Sequence, residues 1–202
     1  MPPADPTTEA AQTQERDLTL MRLVQSGDME ALREIIETHQ QRVASMALRV
    51  GGPTVDIDDI AHQTFVRVWK FAHRYEPTAR FTSWLLTITR NIVLNEIRYR
   101  SRHPTVSLDA QSDPDRPPDP GPPDLATRRP DQALLEAELQ TAIDEALQKL
   151  PENQRTALVL RTYENLPYEE IAAVLETSVG SVKSLLFRAR TSMRELMESY
   201  LG

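Results

Sequence analysis

Apolar residues recur at steps of three and four along most of the chain, and the elements they predict are helices. From Asp17, Leu20, Leu23 and Val24 make a short face that stops near Gly27. Leu32, Ile35, Ile36, Val43, Met46, Ala47 and Val50 carry the stepping from Met29 to Val50, where Gly51-Gly52-Pro53 ends it. DIDDIAHQTFVRVWKFAHRY opens on acidic residues, which suit a helix N-terminus, and puts Ile60, Phe65, Val68, Trp69 and Ala72 on one side. Pro77 in EPTARF breaks the pattern. FTSWLLTITRNIVLNEIRYRSRH resumes it, with Trp84, Leu85, Ile88, Ile92 and Ile97 as expected core.

Residues 104–130 follow no such period and hold eight of the fifteen prolines, mixed with Asp and Ser. A segment of that composition cannot bury a core, and is expected as an extended linker of polyproline character. Residues 1–16, polar and with three prolines, are expected as a disordered tail. The helical period returns at Asp131, where Leu135, Leu139, Ile143, Ala146 and Leu147 form one face. A further helix follows Pro151 and runs to about Tyr163. The pattern therefore predicts an all-α chain of two helical domains, 17–103 and 131–202.

The last two elements form a short helix over 168–175, a turn at Glu176-Thr177-Ser178, and a helix from Val179. Ser178 suits the N-cap. Val179, Val182, Leu186 and Ala189 point inward by spacing, which leaves Ser181, Ser184, Leu185 and Arg188 on the opposite face, flanked by Lys183 and Arg190. A helix-turn-helix presents such a face to base edges in the major groove, with flanking cations meeting phosphate. The competing reading is a plain helical hairpin with a solvated basic side.

Charge separates the two readings. The chain has a net charge of −7, yet Thr64 to His103 carries eight basic and two acidic residues, and Val179 to Arg194 four basic and none acidic. Two basic islands in an acidic chain favour nucleic acid over a solvated surface. The chain has no cysteine, which rules out disulfides and thiolate metal sites and fits a reducing compartment. No apolar run is long enough for a membrane span, and no signal-peptide core opens the chain, so the expected localisation is cytoplasmic. Asp56, Asp58, Asp59 and His62 resemble a metal cluster, the basis of an alternative metal-dependent hydrolase. Helix capping explains the acids and no second His-carboxylate group lies nearby in the sequence, so no metal or other cofactor is expected.

DIDDIAHQTFVRVWK, ARFTSWLLTITRNIVLNEIRYR and LPENQRTALVLRTYENLPYEEIAAVLETSVGSVKSLLFRARTSM resemble, in order and spacing, conserved regions 2 and 4 of bacterial sigma factors of the extracytoplasmic-function class. The resemblance spans about 20–102 and 132–197. It implies a monomeric, non-enzymatic initiation factor that binds core RNA polymerase through its clamp helices and flap, directs it to promoter DNA, and is held by an anti-sigma factor. On this resemblance Asp58, Asp59, His62, Gln63 and Arg67 match the clamp-docking surface. Arg74, Tyr75, Arg80, Phe81 and Trp84 lie in or beside the loop that captures a flipped −10 base. Arg90, Asn91 and Asn95 match positions facing the open strand, and Arg98, Arg100 and Arg102 the basic tail that meets phosphate. Ser178, Ser181, Lys183, Ser184, Leu185, Arg188 and Arg190 would read the −35 duplex.

The sequence departs from the family pattern at three places. Glu176 replaces a customary Gly in the turn, so it must tolerate that backbone. Leu185 replaces a frequent Arg and could touch a thymine methyl instead. His62-Gln63 replaces a Gln-acid pair. The first alternative is a stand-alone helix-turn-helix regulator with an N-terminal sensor or dimerisation domain; the hydrolase is the alternative from another class. Such a regulator would form a stable dimer indifferent to polymerase.

Overall fold

The structure, a computed structural model, describes residues 6–77, 80–103 and 130–201. Residues 1–5 of the expected tail, and 104–129 of the expected linker, lie outside the described residues. All regular elements among the described residues are helical: α1 (Pro6–Gln25), α2 (Met29–Gly51), α3 (Ile57–Phe71), a 3-10 turn (Ala72–Arg74), α4 (Phe81–Arg102), α5 (Pro130–Lys149), α6 (Glu152–Thr162), α7 (Tyr168–Val174) and α8 (Val179–Leu201).

Local chemistry sets the helix ends in the first bundle. Asp28 caps α2 by accepting from the backbone N–H of Glu30 at 2.9 Å and of Ala31 at 3.1 Å. Asp56 caps α3 by accepting from Asp59 N–H at 3.0 Å. Gly52, at φ +76, closes α2 in a conformation that costs glycine little. Met21, Val24, Ile35, Val43, Phe65, Val68, Phe81 and Leu85 fill the core between α1, α2, α3 and α4.

Three expectations need correction here. Helix α1 starts at Pro6 rather than at Asp17, because its C-terminal half docks on α2 and gives the polar stretch before it a helix to extend. A buried pair, His39 Nε2 to Asp17 Oδ1 at 2.8 Å, and Arg16 with Glu34 at the surface, tie the two helices. Within α1 the inward residues are Leu20, Met21 and Val24, while Leu23 is 43% exposed. On α3, Trp69 falls at the solvent edge instead of in the core, since Val68 takes the inward position.

In the second bundle, Ala146, Leu147, Leu150, Ala157, Leu160, Ile171, Val182, Leu186 and Ala189 are buried. Leu139, expected inside, is 46% exposed. The inward series of α8 matches the spacing, and buried Ala172 lets α7 approach it closely. Between them the chain turns on Glu176 at φ +52, with Thr177 N–H donating to Ala172 O at 2.9 Å.

The two bundles also pack on each other. Met46, Val50, Leu86, Ile92 and Val93 of the first share a continuous apolar cluster with Leu147, Leu150 and Ile171 of the second. Helix α4 meets α7, and α2 meets α5 and α6. This seam places α4, the helix with the most candidate residues, between the bundles.

Candidate nucleic-acid and protein interfaces

On α8 the buried row of Val182, Leu186 and Ala189 fixes what the other face shows. Ser178, Ser181, Lys183, Ser184, Arg188 and Arg190 are exposed and Leu185 is half-buried against the core. Ser178 acts as the cap: its Oγ accepts from Ser181 N–H at 3.1 Å and meets Ser181 Oγ at 3.0 Å. Ser184 Oγ donates to Gly180 O at 3.1 Å, which leaves its lone pairs outward. One residue escaped the sequence reasoning. Phe187 is 72% exposed, beside Ser184 and Arg188, where an aromatic ring has no structural use. The signal was available, since the step that puts Leu186 inward turns Phe187 outward.

Around the 74–81 loop the aromatic residues sort differently from expectation. Phe81 is 1% exposed and Tyr75 5%. They pack edge-on with centroids 5.9 Å apart, and His39 and Trp84 close the cluster at 5.2 and 6.0 Å from Phe81. Neither Phe81 nor Tyr75 offers a face to a base here. Both build the floor of the loop, because the cavity between α1, α2 and α4 needs their volume. Burial, followed by the charge of Asp17, raises the Tyr75 phenol above its ordinary value, so it stays protonated. Half-buried Trp84 and exposed Arg74 and Arg80 remain at the rim, Arg74 with its guanidinium 5.1 Å from the Phe71 ring centroid. A second missed residue holds this turn: Gln25 Nε2, at the end of α1, donates to both Ala72 O and Tyr75 O at 3.0 Å.

Along α4 the structure brings the strand-facing and polymerase-facing candidates together. Gln63 and Arg67 of α3 line one open cleft of about 430 Å³ with Asn95, Arg98, Arg102 and the stacked rings of Tyr99 and His103. Asp58, Asp59 and His62 are exposed along the outer side of α3, and Gln63 donates to Asp59 Oδ2 at 2.8 Å. Among the described residues no group of three or more His, Asp or Glu is placed to hold a metal, and Asp56 is engaged as a cap.

Three cations of α4, and Arg80 just before it, already have partners. Arg100 pairs with Glu96 on its own helix at 2.6 Å. Arg90, half-buried beside Asn91, donates to Asn153 Oδ1 at 3.1 Å. Burial lowers its pKa most, and the charges of Glu152 and Glu176 act the other way. Arg98 lies 3.7 Å from Glu152, and Arg80 3.2 Å from Glu170.

Comparison with known proteins bears on both bundles. A family profile described as Sigma-70 region 2 matches residues 35–103, and one described as Sigma-70, region 4 matches residues 140–193. The RNA polymerase sigma-H factor of Pseudomonas aeruginosa is 30% identical over 94% of this chain and 97% of its own. The ECF RNA polymerase sigma-E factor of Salmonella typhimurium is 30% identical over 88% of this chain and 92% of its own. Among solved structures, CnrH in complex with the cytosolic domain of CnrY superposes with a TM-score of 0.66 at 26% identity, over 91% of this chain and 98% of CnrH.

Proposed function

The chain belongs to the extracytoplasmic-function sigma factors of bacterial RNA polymerase, and from that premise we propose how its surfaces divide the work of initiation. It binds core polymerase, directs it to promoters, and adds no catalytic chemistry of its own. The observation that carries the division is the exposed face of α8 on one bundle and the cation-lined cleft of α3 and α4 on the other.

Helix α8 enters the major groove at the −35 element. Ser181, Ser184 and Arg188 meet base edges, Lys183 and Arg190 meet phosphate, and Phe187 and Leu185 supply the apolar contact that a thymine methyl favours. Exposure of all but the half-buried Leu185 supports this assignment.

The first bundle opens and holds the −10 strand. Arg74, Arg80 and Trp84 at the loop rim, Asn91 and Asn95 on α4, and Arg90, Arg98 and Arg102 as its cations supply charge and polar edges for single-stranded bases. Tyr75 and Phe81 act from beneath, as the rigid floor of that loop. Asp58, Asp59, His62, Gln63 and Arg67 dock on the polymerase clamp, adjoining the strand through the shared cleft. The work is cytoplasmic, where polymerase and promoters are. A related fold is solved with a second protein's cytosolic domain, which supports control by an anti-sigma partner.

The test is run-off transcription with core polymerase on a promoter fragment. Addition of the chain is expected to give discrete starts that core alone does not. No chain-dependent transcript from any genomic promoter library would sink the reading.

A further inference from the structure

The face of α4 that carries Asn91 and Asn95 continues at steps of four to Tyr99 and His103. Tyr99 is 53% exposed, more than any other aromatic residue of the first bundle among the described residues. Its ring stacks on that of His103, with centroids 4.6 Å apart and planes at 30°. The end of α4 holds His103 in place. Its backbone N–H donates to Tyr99 O at 3.1 Å and to Arg100 O at 3.2 Å, and its Nδ1 lies 3.0 Å from Tyr99 O. The stack is therefore ordered before anything binds, which lowers the cost of using it. Arg67, Arg98, Arg102 and the Asn95 amide stand around it in the cleft of about 430 Å³. Glu96, the carboxylate lining that cleft, is paired with Arg100 at 2.6 Å. Arg67 and Arg102 have no ion pair among the described residues.

We infer that this cleft is a nucleotide site: one base of the opened promoter strand stacks on Tyr99, backed by His103, while Arg102 and, from the α3 wall, Arg67 hold its phosphate. The inference rests on the proposed assignment of α4 to the −10 strand and adds a platform at the far end of that helix. Three observations carry it. A ring can stack a base only if it is exposed, and in this basic window Tyr75 and Phe81 are buried while Tyr99 is not. Tyr99 belongs to neither apolar cluster, so packing of the core does not account for it. The cleft has the size of a pocket for one small ligand rather than of a groove for a duplex. Along α4, Tyr99 lies about 27 Å beyond Phe81 at a rise of about 1.5 Å per residue. The 74–81 loop and the Tyr99 platform would then hold the strand at two separate points, with the cations of α4 between them.

The test uses holoenzyme made from core polymerase and the full-length chain, bound to a fork-junction promoter. Iododeoxyuridine replaces one base of the non-template strand at a time, and near-ultraviolet light joins it to a ring on which it stacks. One position is expected to crosslink to Tyr99, located by peptide mass spectrometry. Crosslinks to other residues only would overturn the inference. Tyr99→Ala should weaken fork binding about fivefold or more, as the loss of a base–aromatic stack does. Tyr99→Phe keeps the ring and should bind as the parent does, and core polymerase pull-down should be unchanged in both. Equal losses in the two variants, or none in Tyr99→Ala, overturn the platform alone. No fork binding by the parent holoenzyme would instead overturn the −10 assignment, and the inference with it. Radiolabelled ATP retained by the full-length chain without DNA would identify a free nucleotide as the occupant and overturn the strand as its source.

Discussion

Glu176 sits at φ +52, a left-handed conformation that is unfavourable for any residue with a Cβ by about 1–2 kcal/mol. Glu176→Gly should therefore stabilise the chain by about 1 kcal/mol and raise the melting temperature by about 2–4 °C in a thermal scan. A fall would mean that the attraction between Glu176 and Arg90 outweighs the strain. Asn165 shares the φ of 52 but is a residue type that tolerates it. His39 is fixed from two sides. Its Nε2 lies 2.8 Å from Asp17 Oδ1 and its Nδ1 3.3 Å from Arg42 Nη1. Asp17→Ala leaves Nε2 buried without that partner and should cost about 2–3 kcal/mol in urea unfolding. Asp17→Asn keeps an acceptor and should lose less. Arg188 projects from α8 with nothing on its own bundle to support. Arg188→Ala should reduce initiation at −35-dependent promoters about 10- to 100-fold while core polymerase pull-down is unchanged. Loss of core binding instead would break the division of labour between the bundles.

At the scale of elements, spacing reveals a helix when one face is buried and the other is not. Helix α8 met that condition, so its inward row and its outward Ser181, Ser184 and Arg188 were all legible, as was the Ser178 cap. The first turns of α1 did not, because their side chains are polar and their order follows from docking further along the helix. Tyr75 and Phe81 show a different limit. An aromatic residue in a basic window reads equally as a stacking platform or as core, and only the cavity left by α1, α2 and α4 decides. Contacts such as Arg90 with Asn153, between segments far apart in the chain, leave no periodic trace at all.

For the whole molecule, Glu164 links proton uptake to closure. Burial raises its pKa most, while Arg42, Arg49 and His39 of α2 oppose the shift. The seam buries it, so parting the bundles should return it toward the ordinary 4.5. The closed state then binds more protons than the open one just above that value. Closure is therefore favoured as pH falls and weakens as pH rises through the raised value. Stability in urea unfolding should follow that trend and flatten in Glu164→Gln. The net charge of −7, with its basic islands partly paired to the chain's own acids, also predicts weak binding of free protein to random duplex, near or above ~10⁻⁵ M at physiological salt. Nanomolar binding in a gel shift without polymerase would contradict it. The tie from Gln25 to Ala72 and Tyr75 crosses a boundary of another kind. Helix α1 precedes the region 2 match at residue 35, yet it pins the turn that launches the 74–81 loop. If the 74–81 loop captures the −10 strand as proposed, promoter specificity in this chain is not a portable cassette: a chimera cut at that boundary would transplant the loop without its hinge pin.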